Sequence, residues 1–407
     1  MTSNHSGRRA RLLALAPVYL SVFLFTAGNA ALTVLVPVYL ARDAGLGPAA
    51  IGIVLGTLSV AALATRLPTG LAYSASRGRA LLLAGGAFSA STFALLPFAR
   101  SPVVLALLLA LNGVGWSVAT TAQLALLVAR PPAGVSTAVA MGYFSGATAF
   151  GNIAAVIGGV SGDLIGLRPT FWVFAVTPLV AALLMSAAVP GVVARQEPRE
   201  ERPRAPLRRL VRLPLAVWVG VLVMFFINGL NAMMNAFHPV MARRAGLSLT
   251  QIGALSSMRS WASASSRFGS GPLFQRFDAK GLTLPLVAIG TLATCFVPSV
   301  IGMFVLQIPL FLLMGLSRGL LRVTGSADAF DAIGDDERGH GLVSALLYGG
   351  LDLGKIVAPV VGGVVAGLWG YATMFRVVPV GFLLLYLALA IPARRALTPP
   401  APRRSEV

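Results

Sequence analysis

Thirty positions in the first half of this chain can be laid over thirty positions 201 residues further on, and eleven of them are identical. Ala41, Arg42, Ala44, Gly45, Leu46, Ile51, Gly52, Ser59, Ala61, Arg66 and Gly70 face Ala242, Arg243, Ala245, Gly246, Leu247, Ile252, Gly253, Ser260, Ala262, Arg267 and Gly271. A second pair of glycine-rich segments, Gly142 to Gly159 and Gly349 to Gly363, agrees at an offset of 204, where Gly146, Gly158 and Gly159 face Gly350, Gly362 and Gly363. Both offsets are close to half of the 407 residues, so the repeating unit is half a protein rather than a small solenoid module.

Composition says in which solvent those halves fold. The chain is 57% hydrophobic and 11% charged, with a mean hydropathy of +0.82. Apolar runs long enough to cross a bilayer, at ~20 residues each, recur along it. The pattern predicts twelve spans: 14–40, 49–73, 80–98, 102–128, 136–160, 170–189, 214–241, 250–275, 281–299, 302–329, 341–367 and 372–393. The expected fold is therefore an all-α membrane protein of twelve transmembrane helices in two pseudo-symmetric six-helix bundles, an architecture found among transporters. Residues 1–189 form the N-terminal bundle, 190–213 a cytoplasmic linker, 214–396 the C-terminal bundle and 397–407 a cytoplasmic tail. Pro190, Pro198, Pro203 and Pro206 mixed with Arg and Glu make the linker too polar to pack.

A formal charge of +19 would point a soluble protein towards nucleic acid. Here the distribution explains it instead. Twenty Lys/Arg residues fall at one set of span ends, five at the other, and seven inside spans. Basic excess marks cytoplasmic loops, which places both termini in the cytoplasm of a cell's inner (plasma) membrane. Arg8-Arg9-Ala10-Arg11 before an apolar run imitates an export signal, but the run is long enough to be a retained first span. Cys295 is the lone cysteine. No cofactor or metal is expected.

The segment after the second span, Gly70-Leu71-Ala72-Tyr73-Ser74-Ala75-Ser76-Arg77-Gly78-Arg79, resembles the signature of the major facilitator superfamily. Ser74 stands where that signature has its acid, and Gln275-Arg276 follows Gly271 in the second half. The resemblance implies gating roles for Gly70, Arg77, Arg79 and Gly271, with the usual acid latch missing. The fifth-span glycines Gly142 and Gly151, with Ala155-Val156 before Gly158-Gly159, resemble in part the exchanger pattern of that family. Membership also implies that the first, fourth, seventh and tenth spans line a central cavity, and that the second and eleventh pack together at the cytoplasmic side.

Charge inside a span is costly and marks pathways or ion pairs. Of 13 acids only Asp352 lies deep, about eleven residues into its span, or roughly 16 Å. Lys355 follows one turn later. Asp352 is the proton-coupling candidate, with a structural ion pair as the alternative. Arg66, Arg259, Arg267, Arg318 and Arg322 are further intramembrane cations. Arg66 and Arg267 are gating candidates, and Arg66 is expected to reach Asp352 in one gating state. Arg259, Arg318, Arg322 and Lys355 are candidates for holding a carboxylate, sulfate or phosphate.

Asn228, Asn231, Asn235 and His238 share one face of the seventh span. Amides facing lipid would be expensive, so this stripe faces the bundle or a cavity. Asn29 occupies the corresponding place in the first half, with Asn112 in the fourth span. Tyr19, Phe23, Trp116, Thr120 and Gln123 are weaker contact candidates. Two enzyme-like strings, Gly315-Leu316-Ser317-Arg318-Gly319 and Gly349 to Gly354-Lys355, lie mid-span without the strand each motif needs. The expectation is a monomeric, non-enzymatic secondary transporter exporting a small anionic or zwitterionic amphiphile against protons. Uptake or facilitated diffusion, and a non-transporting receptor or scaffold, are the alternatives.

Overall fold

The computed structural model describes residues 16–74, 77–129, 137–188, 213–270, 274, 276, 279–333 and 337–397. The helices are α1 (Ala16–Arg42), α2 (Pro48–Ala72), α3 (Gly78–Leu95), α4 (Pro102–Ala129), α5 (Thr137–Ile153), α6 (Ala155–Ile165), α7 (Leu167–Ala188), α8 (Leu215–Arg244), α9 (Leu249–Phe268), α10 (Ala279–Phe296), α11 (Phe304–Asp331) and α12 (Glu337–Leu397). Short 3-10 turns extend α3 to Phe98 and α10 to Val300. No strand occurs among the described residues.

Among the described residues, ten helical stretches are long and apolar enough to cross a bilayer. One of them, Leu342–Pro392, is 51 residues long. As a straight rod it would reach about 75 Å, against a hydrocarbon core of about 30 Å. It does not run straight. Gly370, at φ 82 and ψ 163, turns the backbone where an L side chain would be strained, and divides α12 into two arms. Gly166, at φ 85 and ψ 164, makes the same turn between α6 and α7. The two glycines are 204 residues apart, and the other positive-φ pair, Gly45 and Gly246, is 201 apart. The sequence repeat is thus a repeat of backbone turns.

α9 falls short of that apolarity because Ser256, Ser257, Ser260, Ser263, Ser265 and Ser266 share it with Arg259 and Arg267. Its N-terminus is capped instead: Ser248 Oγ accepts from Gln251 N at 3.1 Å, and Gln251 Oε1 accepts from Ser248 N at 2.9 Å. The expected fifth span, 136–160, continues to Ile165 and bends at Ala154, where the chain leaves helical geometry between α5 and α6. Asp163, which the sequence places in a loop, therefore lies inside α6.

The interior is continuous, with Leu35 and Tyr39 of α1 and Phe237 of α8 in one apolar cluster. The outer surface is apolar too: Leu67, Leu71, Leu107, Leu164 and Trp369 are each more than 60% exposed. Facing water, each such leucine would forgo roughly 2 kcal/mol; facing lipid it forgoes nothing.

Candidate functional site

Asp352, in the first arm of α12, is the buried acid of the described spans. Arg66 of α2 reaches it from the other half, with Nη1 2.8 Å from Oδ2, and Lys355 Nζ lies 3.3 Å from Oδ1. The carboxylate is 10% exposed, whereas the Arg66 and Lys355 side chains are 38% and 40% exposed. One acid is thereby clamped between two cations, one from each half. Arg267, the repeat mate of Arg66, instead donates Nε to Ser263 O at 2.9 Å.

A cavity of about 340 Å³ lies between the halves, and its wall carries Arg259, Arg267, Arg318 and Arg322. No Asp or Glu is among its described lining residues. Arg259 is 4% exposed. It donates Nη2 to Asn235 Oδ1 and lies 5.6 Å above the Phe311 ring, while its Nε and Nη1 have no partner. Arg318 Nη2 donates to Asn228 Oδ1 at 3.4 Å. The partners of both guanidinium groups are thus neutral amides and a ring.

Thr33, Asn231 and Asn235 also border a second, smaller lobe of about 200 Å³, so the two spaces adjoin across these residues. Asn29, Asn112 and Lys355 supply the polar wall of this smaller lobe; Leu32, Val36, Leu55, Leu58 and Leu109 supply its apolar wall. Asn112 Nδ2 donates to Asn29 Oδ1 at 3.3 Å.

The stripe on α8 divides. Asn231 and Asn235 line the cavity. Asn228 is buried and donates Nδ2 to Leu351 O at 3.2 Å, fastening α8 to α12. His238 is buried, its Nε2 2.7 Å from Gln307 Oε1 and its ring against Phe311. Trp116 stacks on Phe25 at 5.4 Å. Gly70 has open space where a side chain would be, and Arg77 and Arg79 are exposed; Gly271 lies outside the described residues.

The halves meet at the end where the Gly45 and Gly246 turns lie. Asp163 Oδ1 accepts from Leu249 N at 3.1 Å, and Oδ2 accepts from Thr250 N at 2.7 Å and Thr250 Oγ1 at 2.8 Å. A carboxylate from one half thus caps the first turn of α9 in the other. Ser257 Oγ, two turns on, accepts from Val156 N at 3.0 Å and donates to Ile153 O. A methyl group on Gly159 would strike the Leu249 carbonyl, and one on Gly52 the Pro359 carbonyl. The opposite mouth of the large lobe carries exposed Tyr348 and Arg267.

The sequence profile of the Major Facilitator Superfamily matches residues 18–342 and 230–406. The chain belongs to the Major Facilitator Superfamily. Among solved structures, the nucleoside transporter NupG superposes with a TM-score of 0.76 at 14% identity, over 94% of this chain and 98% of that one. A bacterial homologue of the human lysosomal transporter Spinster, in an inward-facing and unoccupied conformation, superposes with a TM-score of 0.74 at 16% identity, over 96% and 99%. Its occupied form gives 0.73 at 16% identity, over 97% and 99%. At these identities the likeness establishes the fold. No curated protein sequence matches significantly.

As a superfamily member the chain is a multi-pass membrane transporter for a small molecule, not an enzyme. The two enzyme-like strings lie within α11 and α12. Sequence reasoning missed Asp163, Asn152, Ser256, Ser260 and Tyr348 at the closure and the cavity wall. Ser256, Ser260, Ser263 and Arg267 recur at helical spacing on α9, a polar face readable beside the stripe on α8.

Proposed function

We propose that the protein exports a small organic anion or zwitterion by alternating access, exchanging it for protons. What carries the reading is the wall of the large lobe, with four arginines and no carboxylate among its described residues. A guanidinium buried without a counter-charge is expensive, and an anionic substrate supplies the missing charge. Asp352 is the proton carrier in this account. Protonating it removes the charge that holds Arg66 across the halves, so proton binding and the joining of the halves are coupled.

The moving bodies are residues 1–189 and 214–396, joined by 190–213 and followed by the 397–407 tail. The charge excess at one set of span ends supports cytoplasmic termini and an inner-membrane location. With that orientation, the closure at Asp163 faces outward and the arginine lobe opens inward. A single chain contains both lobes, in keeping with a monomer. One observation favours the second reading, uptake or facilitated diffusion: two cations already neutralise Asp352, as a fixed structural pair requires.

The test is thermal stability of the purified protein against anionic, zwitterionic and cationic amphiphiles, with Arg318→Ala and Asp352→Asn alongside. Stabilisation by anions that disappears in Arg318→Ala supports the reading. Stabilisation by cations alone, lost in Asp352→Asn, would overturn the substrate class and make Asp352 a binding carboxylate.

A further inference from the structure

We infer that the substrate carries two negative charges on one compact head, of which a phosphate monoester is the simplest form, joined to a short apolar body. The inference rests on the anionic reading above and sharpens it.

Charge in the large lobe is out of balance. Arg259, Arg267, Arg318 and Arg322 all face one lobe of about 340 Å³. Asp352, the buried acid of the described spans, is already shared between Arg66 and Lys355. A head with one negative charge would leave most of the positive charge in the lobe unanswered. A dianion answers more of it in the same volume, and presents several acceptor oxygens to guanidinium donors.

Hydrogen-bonding capacity there is also unspent. Arg259 is 96% buried, yet Nε and Nη1 have no partner and Nη2 meets only the neutral Asn235. Buried donors without acceptors are rare, and at a cavity wall they mark where an acceptor belongs. The shape of the adjoining space is consistent with an apolar body. Beyond Thr33, Asn231 and Asn235 the smaller lobe is walled largely by Leu32, Val36, Leu55, Leu58 and Leu109. It receives an apolar group along these side chains, while Asn29, Asn112 and Lys355 on the remaining wall meet any polar substituent on it.

The geometry therefore places the head beside Arg259 and Arg318 and the body between α1, α2 and α4. Hexyl phosphate and hexyl sulfate test this directly, because their tails match and both heads are tetrahedral. At pH 8 the phosphate is doubly charged and the sulfate singly charged; at pH 5.5 the phosphate falls mostly to one charge, since its second pKa is about 6. Binding to the purified full chain is measured calorimetrically at both pH values, with hexyltrimethylammonium as the cationic control. The expected result is about tenfold tighter binding of phosphate than of sulfate at pH 8, falling to about threefold at pH 5.5, where roughly a quarter of the phosphate is still doubly charged. Arg259→Gln is expected to remove most of the preference; should that variant not fold, Arg318→Gln is the substitute, and the wild-type comparison stands without either. Equal affinity for the two anions at pH 8 would overturn the dianion inference and leave the anionic reading intact. Binding of hexyltrimethylammonium alone, or of neither anion, would overturn the anionic reading itself.

Discussion

Arg259 illustrates how a single residue can cost stability and supply function. Its guanidinium is buried against Asn235 and the face of Phe311 with no carboxylate in reach. Replacing a buried charge by a well-packed apolar side chain is often stabilising by ~1–4 kcal/mol. Arg259→Met is accordingly expected to raise the thermal midpoint of the purified protein while abolishing transport; a fall in both would mean the residue is structural. Asp352 behaves oppositely, because its two cations lose their partner when it goes. Arg66→Asp and Asp352→Arg are each expected to destabilise by about 3 kcal/mol. The double exchange should restore most of the lost transport, and no restoration would sink the pairing as a functional contact. These residues are legible in the sequence because charge inside an apolar run is rare and conspicuous. The fate of the stripe on α8 is not legible. Asn228 and Asn231 share a face by spacing, and only the neighbouring α11 and α12 decide that one bonds Arg318 and the other borders the cavity.

At the level of elements, the closure is made by helix ends and glycines rather than by an ion pair. Asp163 caps α9 through two backbone amides and the Thr250 hydroxyl, and the glycine at 159 lets α6 lie directly on the Leu249 carbonyl. Losing a helix cap typically costs about 1 kcal/mol. Asp163→Ala is therefore expected to shift the protein roughly fivefold towards the state open at this end, since 1.4 kcal/mol is about tenfold. The shift is read by the labelling rate of a cysteine introduced at Asn231 in a Cys295→Ser background, using a thiol reagent confined to that side. An unchanged rate would show that Asp163 does not hold the closure. Gly159→Leu should give a larger shift by steric exclusion. The apolar runs and turn glycines announce most helix limits. The bend at Ala154 escapes notice because a run of small residues reads as continuous helix, and with it goes the placement of Asp163.

For the whole molecule, the repeat at offsets 201 and 204 is the strongest long-range statement in the sequence. It surfaces as paired backbone turns at Gly45 and Gly246 and at Gly166 and Gly370. What symmetry leaves open is where the halves differ: Asp163 has Gly367 as its counterpart at offset 204, and the arginines of the cavity all come from the second half. A repeat states which segments correspond, not which of two alternating arrangements they adopt. The most direct test of the account is flux in proteoliposomes loaded with the tightest-binding anion of the amphiphile panel, under an imposed pH gradient, for wild type and Asp352→Asn. Acid on the side of the Asp163 closure is expected to accelerate anion exit through the wild type, while Asp352→Asn still exchanges anion but ignores the gradient. Wild-type exit indifferent to the gradient, or an equal response in Asp352→Asn, would contradict proton-coupled export through this residue.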